Sequence, residues 1–111
     1  MTSSASTTTP ALTARAALFG LLADPLRLRI IELLAAEELC TCHLVEQTGA
    51  KQTTVSHHLR LLREAGAVTV AEAGRFTWYR LAPTVPQTLG EHLAGLVGLA
   101  GQTVPRRTDC P

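Results

Sequence analysis

Apolar side chains recur along this chain with a helical period as far as about residue 65, then with a period of two, then helically again. Ala11, Ala14, Leu18, Leu21 and Leu22 share one stripe of a first helix over residues 11–22. Asp24-Pro25 marks a restart, because Asp is a good N-cap and Pro suits the first helical position. Leu26, Ile30, Leu33 and Leu34 give the second helix a buried stripe that fades at Glu37-Glu38. A short third helix is predicted over roughly 41–48 and a fourth over about 52–65, each stopped by a glycine, Gly49 and Gly66. Only Gly49-Ala50-Lys51 joins them, which is the outline of a helix-turn-helix.

Beyond Gly66, Ala67, Thr69 and Ala71 alternate with Val68 and Val70, and Phe76, Trp78 and Arg80 with Thr77, Tyr79 and Leu81. With Gly74 between the runs, this predicts a β-hairpin, a candidate wing. Pro83 and Pro86 punctuate, and a last helix follows over about 86–100 with Leu89, Leu93, Leu96 and Ala100 in helical register. Gly90, Gly95 and Gly98 weaken it, so it needs a packing partner, such as its twin in a dimer. The expected fold is mainly α with a small β-hairpin, a winged helix-turn-helix in the order α-α-α-α-β-β-α. Residues 1–10 are expected to form a disordered lead, residues 11–102 the domain, and residues 103–111 a flexible tail carrying Cys110.

A chain of 111 residues fits one domain with a modest core, and small domains are often helped by dimerisation. Aromatics make up only 4%, so Leu, Ala and Val must build that core. No apolar run approaches the ~20 residues needed to cross a bilayer. Met1 to Pro10 is Ser/Thr-rich, with neither the basic nor the apolar region of a secretion signal. A cytoplasmic, reducing location with free thiols is therefore expected. The net charge of +1 excludes nothing, but its distribution is uneven. Residues 24–48 set Arg27 and Arg29 against Asp24, Glu32, Glu37, Glu38 and Glu46. Residues 51–80 set Lys51, Arg60, Arg63, Arg75 and Arg80 against Glu64 and Glu72. An acidic stretch thus precedes a basic one, which suits a face aimed at phosphates.

Counting about 100° per residue from Gln52, Val55, Leu59 and Leu62 cluster on one side of the fourth helix. Thr53, Ser56, His57 and Arg60 lie opposite, and His58 borders the core side. Short polar donors and one Arg near a helix N-terminus can reach base edges and phosphates in a major groove. Arg75, beside Gly74 at the hairpin tip, is placed to touch a minor groove or a phosphate.

Upstream of that helix stands Glu38-Leu39-Cys40-Thr41-Cys42-His43. Thiolates select soft ions, and a helix N-terminus favours the thiolate. On an intact helix, Cys40 and Cys42 point ~200° apart. They can share one ion only if the helix start is non-helical or unwinds, and unwinding would misplace the recognition helix. His43 is expected to face away. A zinc site on the last helix is discarded, because Glu91 and His92 diverge by ~100°; His92 reads as an interface or surface residue. An enzyme is not expected, since no acid partner, oxyanion motif or phosphate loop accompanies Cys42 or His43.

Ala23-Asp24-Pro25-Leu26-Arg27, Leu39-Cys40-Thr41-Cys42, Thr54-Val55-Ser56-His57-His58-Leu59 and Glu64-Ala65-Gly66 together resemble the ArsR/SmtB family of winged-helix metal-sensing repressors, over about residues 12–100. The resemblance implies a homodimer that binds operator DNA and releases it when a metal or metalloid binds. It implies that Gln52, Thr54, Ser56 and His57 read DNA. Lys51 departs from a frequent capping Ser; Lys cannot cap, so this helix start is expected to fray, with a phosphate contact as the alternative use of its charge. Leu18, Leu89, Leu93 and Leu96 are expected at the dimer interface. The arsenic-responsive members carry Cys-x-Cys here, which implies As(III) or Sb(III) as inducer, with Cd, Pb or Zn as alternatives. A third thiol often follows, but this chain has Val45 there, so Cys110 is the candidate third sulfur beside Cys40 and Cys42. Its seven-residue span from Thr103 reaches roughly 23–25 Å when extended. A thiol redox or persulfide sensor is the rival reading, and it too would need a Cys110 bridge, because Cys40 to Cys42 is strained.

Overall fold

The computed structural model describes residues 9–103 and 105–108. Its elements are α1 (Pro10–Leu21), α2 (Pro25–Ala36), β1 (Leu39–Cys40), α3 (Thr41–Thr48), α4 (Gln52–Glu64), β2 (Val68–Ala73), β3 (Phe76–Leu81) and α5 (Thr84–Ala100). Side chains at the helix starts explain several boundaries. Thr9 Oγ1 accepts from the Leu12 N–H at 3.1 Å, with Pro10 at the first helical position. The Asp24 carboxylate accepts from the N–H groups of Leu26 and Arg27 at 3.0 and 3.1 Å, ahead of Pro25. Lys51 offers α4 no side-chain cap, as a side chain without an acceptor must. Gly49 closes α3 in the left-handed region at φ 72°, which glycine adopts without steric cost.

The core is apolar throughout, with Ile30 of α2, Leu44 of α3, Val55, Leu59 and Leu62 of α4 and Val68 of β2 fully buried. Among the described residues no polar or charged side chain joins them. The strands form one antiparallel sheet in the order β1-β3-β2. Helices α3 and α4 with the β2–β3 hairpin make a winged helix-turn-helix, as expected from the sequence.

Three expectations need correction. β1 was not foreseen; its two residues pair with β3, Leu39 opposite Tyr79 and Cys40 opposite Trp78. A strand of two residues carries no readable periodicity. Helix α5 begins at Thr84, so Pro86 lies inside its first turn. Pro is tolerated there because the N–H it lacks would have no helical acceptor. Leu89, expected at a dimer interface, is 5% exposed and belongs to the protomer's own core with Val85. The first turns of α5 cover the core and the later ones overhang it, leaving Leu93 and Leu96 half exposed and Val97 and Leu99 more so. Leu18 of α1 is partly buried against the core. The expected lead falls almost wholly on residues 1–8, and the tail's Cys110 also lies outside the described residues.

Candidate thiol site and nucleic-acid interface

Helix α4 divides as its sequence predicts. Val55, Leu59 and Leu62 face inward, while Gln52, Thr53, Thr54, Ser56, His57 and Arg60 are exposed. Gln52, Thr53, Ser56, His57 and Arg60 line one shallow depression on the outer face of the helix. Arg60 Nη2 donates to His57 Nδ1 at 3.1 Å. An arginine cannot accept, so His57 Nδ1 is the acceptor of this bond. Exposed Lys51 precedes the helix, and exposed Arg75 stands at the hairpin tip behind Gly74. Among the described residues, ion pairs join Arg29 to Glu32 and Arg80 to Glu38, and neither involves Lys51, Arg60 or Arg75. This surface therefore presents uncompensated positive charge with short polar donors, the chemistry that phosphates and base edges require.

His58, at the edge of the core side, has a partner that the sequence did not reveal. Arg27 Nη1 donates to its Nδ1 at 3.1 Å, and Arg27 Nε donates to the Leu21 carbonyl at 2.7 Å. One guanidinium thus ties α4 to the start of α2 and the end of α1. The contact spans 31 positions of sequence, which no local pattern can show.

The two cysteines converge. Cys40 is not helical: it is the N-cap of α3, extended at φ −90° and ψ 171°. That backbone turns its side chain toward the first turn of the helix it precedes, and the Cys40 and Cys42 Sγ atoms lie 2.7 Å apart. The non-helical alternative weighed from the sequence is therefore realised, and the pair needs no unwinding to meet on one ion. His43 does not face away, as had been expected. Its Nδ1 accepts the Cys40 N–H at 3.2 Å and lies 3.2 Å from Cys40 Sγ, while its ring packs on Trp78 with centroids 5.7 Å apart. N-cap and third helical residue thus return to each other, as in a capping box with sulfur in place of oxygen.

Cys40 is buried and Cys42 exposed. Burial opposes ionisation of Cys40, but hydrogen bonds from the Cys42 thiol and from the N–H groups of His43 and Cys42 outweigh it and hold its pKa below the ordinary thiol value. Cys42 is pushed up, because Cys40 holds its proton and because desolvation and the Cys40 charge oppose a second anion. Two sulfurs side by side, one of them eased toward ionisation by its hydrogen bonds, make a donor pair suited to a soft ion. It is an incomplete metal site by itself: among the described residues no three His, Cys, Asp or Glu side chains are grouped to hold an ion. His43 Nδ1 is already committed to the Cys40 backbone. A cleft of about 310 Å³ opens beside the sulfurs, lined by Cys40, Thr41, Cys42, Arg75, Phe76 and Thr77. The wing tip therefore forms one wall of the thiol cleft, a juxtaposition absent from the sequence reading.

A model of the bacterial regulatory proteins of the arsR family matches residues 24–70, the segment from the cap of α2 into the wing. The arsenic resistance transcriptional regulator ArsR1 of Pseudomonas putida is 42% identical over 80 residues, covering 71% of this chain and 62% of that protein. The arsenical resistance operon repressor of Escherichia coli is 43% identical over 70 residues, covering 62% of this chain and 60% of that protein. The chain thus spans less than two thirds of the length of these curated relatives. The crystal structure of a possible transcriptional regulator for arsenical resistance superposes with a TM-score of 0.65 at 31% identity, covering 78% of this chain and 97% of that one. These relatives are regulators, not enzymes. With the family model matched across the helix-turn-helix and a solved relative at 31% identity covered over 97% of its length, the chain belongs to the arsR family of bacterial regulatory proteins.

Proposed function

We propose that the protein is a metalloid-responsive transcriptional repressor that binds operator DNA as a homodimer and releases it when As(III) or Sb(III) binds its cysteine thiolates. Cys40 and Cys42 are the first two ligands and Cys110 supplies the third sulfur. Lys51, Gln52, Thr53, Thr54, Ser56, His57 and Arg60 face the DNA, with Arg75 on an adjacent phosphate or in the minor groove. Leu93 and Leu96 of α5 bury their exposed faces against the second protomer. Cd, Pb and Zn are the alternative inducers, and the reducing cytoplasm is the expected setting. No helix in the described chain is long and apolar enough to cross a membrane.

One observation supports this reading above the others: Cys40 belongs to two elements at once. It caps α3, which leads through a three-residue turn to α4, and it is the last residue of β1, paired with Trp78 of the wing. An ion that fixes Cys40 Sγ against Cys42 Sγ acts on both DNA-facing elements through one residue. A 100-fold loss of operator affinity needs ~2.7 kcal/mol of difference between free and DNA-bound repressor in affinity for the ion. A change of spacing at a junction shared by two elements can supply that, and it does not require α3 to melt.

The test is an anisotropy titration of labelled operator DNA. Release by arsenite with a non-thiol reductant present supports the reading. Release by oxidant alone would replace it with a thiol redox sensor.

A further inference from the structure

The inward face of α4 is apolar, formed by Val55, Leu59 and Leu62. Burial of that kind is non-directional: it holds a helix on a core without fixing its rotation or slide to a fraction of an ångström. A helix that reads base edges needs both fixed. Among the described residues, one side-chain hydrogen bond leaves α4 for another helix, from Arg27 Nη1 to His58 Nδ1 at 3.1 Å. The same guanidinium donates from Nε to the carbonyl of Leu21, the last residue of α1, at 2.7 Å. Arg27 is half-buried where α1, α2 and α4 meet, and its planar fork gives both bonds a fixed geometry. His58 also lies against His57 of the outer face, with ring centroids 5.3 Å apart. The clamp therefore grips α4 one residue away from the face assigned to DNA.

We infer that Arg27 is a positioning residue for DNA recognition: anchored on α1, its guanidinium fixes the rotation and register of α4 through the neutral ring of His58. This rests on the reading of α4 as the DNA-facing helix and adds a residue that acts from behind it. The clamp works only with an unprotonated acceptor. Arginine stays charged and only donates, whereas a protonated imidazole carries two N–H donors and offers no lone pair. Charged and titratable groups meet His58 from two elements. From α2 come the Arg27 guanidinium, which opposes a second positive charge, and the Asp24 carboxylate, whose lowered pKa keeps it ionised through the range in which histidines titrate. From α4 itself comes His57, which accepts from Arg60. His57 acts with the opposite sign: a proton there adds positive charge to the face that meets phosphate, which strengthens binding. A loss of sequence preference on acidification is therefore the mark of the His58 clamp.

The experiment uses the full chain under reducing conditions. Wild type first selects a duplex from a random pool. Labelled copies of that duplex and of a scrambled one are then titrated with wild type, Arg27→Met and His58→Asn. Met keeps the apolar stem and the backbone N–H that Asp24 accepts, and loses both guanidinium bonds. Asn offers an amide oxygen near the place of Nδ1 and does not titrate. Phosphate-driven binding tolerates a small misplacement of α4, and base reading does not. Arg27→Met is therefore expected to weaken the selected duplex about tenfold more than the scrambled one. The wild-type preference for the selected duplex is expected to fall severalfold from about pH 8 to about pH 5, and to stay level in His58→Asn. Equal loss on both duplexes in Arg27→Met, a wild-type preference that does not fall, or a fall that persists in His58→Asn overturns this inference and leaves the repressor reading standing. If Arg27→Met loses its helical circular dichroism, the pH comparison of wild type with His58→Asn decides alone. A wild type that enriches no duplex overturns both readings.

Discussion

Cys40 stands opposite Trp78 in the antiparallel pairing of β1 with β3, so a cysteine of the proposed sensor pair and a wing tryptophan share one rung of a sheet. His43, which bonds the Cys40 backbone, packs on the same indole. Any ligand that re-spaces the thiols must therefore disturb the surroundings of Trp78. Arsenite is predicted to change Trp78 emission in wild type and to leave it unchanged in Cys42→Ser, where one sulfur is missing. Equal changes in both proteins would mean that the signal arises elsewhere.

Arg75 is exposed at the hairpin tip and, among the described residues, has no carboxylate partner. Arg75→Ala is predicted to weaken operator binding and to lower the slope of log affinity against log salt by about 1, the value for one lost phosphate contact. An unchanged slope would remove the wing tip from the phosphate contacts.

The cap of α2 sets an acid limit on stability. Hydrogen bonding from the Arg27 N–H leads in lowering the Asp24 pKa, burial opposes it, and the charges of His58 and Arg27 and the Leu26 N–H assist. The folded pKa lies below the unfolded one, so the unfolded chain binds the proton more readily. The contribution of Asp24 is complete above its ordinary pKa of ~3.9 and is lost as pH falls through the depressed folded value. Asp24→Asn keeps a capping side chain but removes the charge, and it is predicted to flatten the fall of the urea midpoint as pH drops below the ordinary carboxylate range. A parallel fall in both proteins would assign the acid limb to other groups.

Leu96 is 51% exposed on the overhanging part of α5, beside Val97 and Leu99, which are exposed still further. Leu96→Lys is predicted to turn a dimer into a monomer in sedimentation without loss of helical circular dichroism, because the side chain is not part of the protomer core. A variant that remains dimeric would place the interface on another face.

How much of this was legible in the sequence follows from the range over which each feature is determined. Helices α2, α3 and α4 were readable because Asp24-Pro25, Gly49 and Gly66 mark their ends locally, and the outward face of α4 follows from its 3.6-residue period. β1 was hidden because pairing with a strand some 40 positions away makes it, not a pattern of its own. The cysteine geometry turned on one residue: placing Cys40 in the helix sends the sulfurs apart, and placing it at the N-cap brings them to 2.7 Å. Leu89 was misassigned because a helical stripe shows which residues are apolar but not where the core beneath it ends. The Arg27–His58 contact and the Phe76 wall of the thiol cleft are purely tertiary and left no sequence signal.

The central claim is that Cys40 and Cys42 sense and do not hold the fold. Serine is itself a good N-cap, so Cys40→Ser preserves the start of α3, and Cys42 is exposed. The most direct measurement is operator affinity by anisotropy, with and without arsenite under reducing conditions, for wild type, Cys40→Ser and Cys42→Ser. The account predicts equal affinity for the three free proteins and loss of the arsenite response in both variants. Loss of DNA binding in the free variants, or an arsenite response that survives in them, would contradict it.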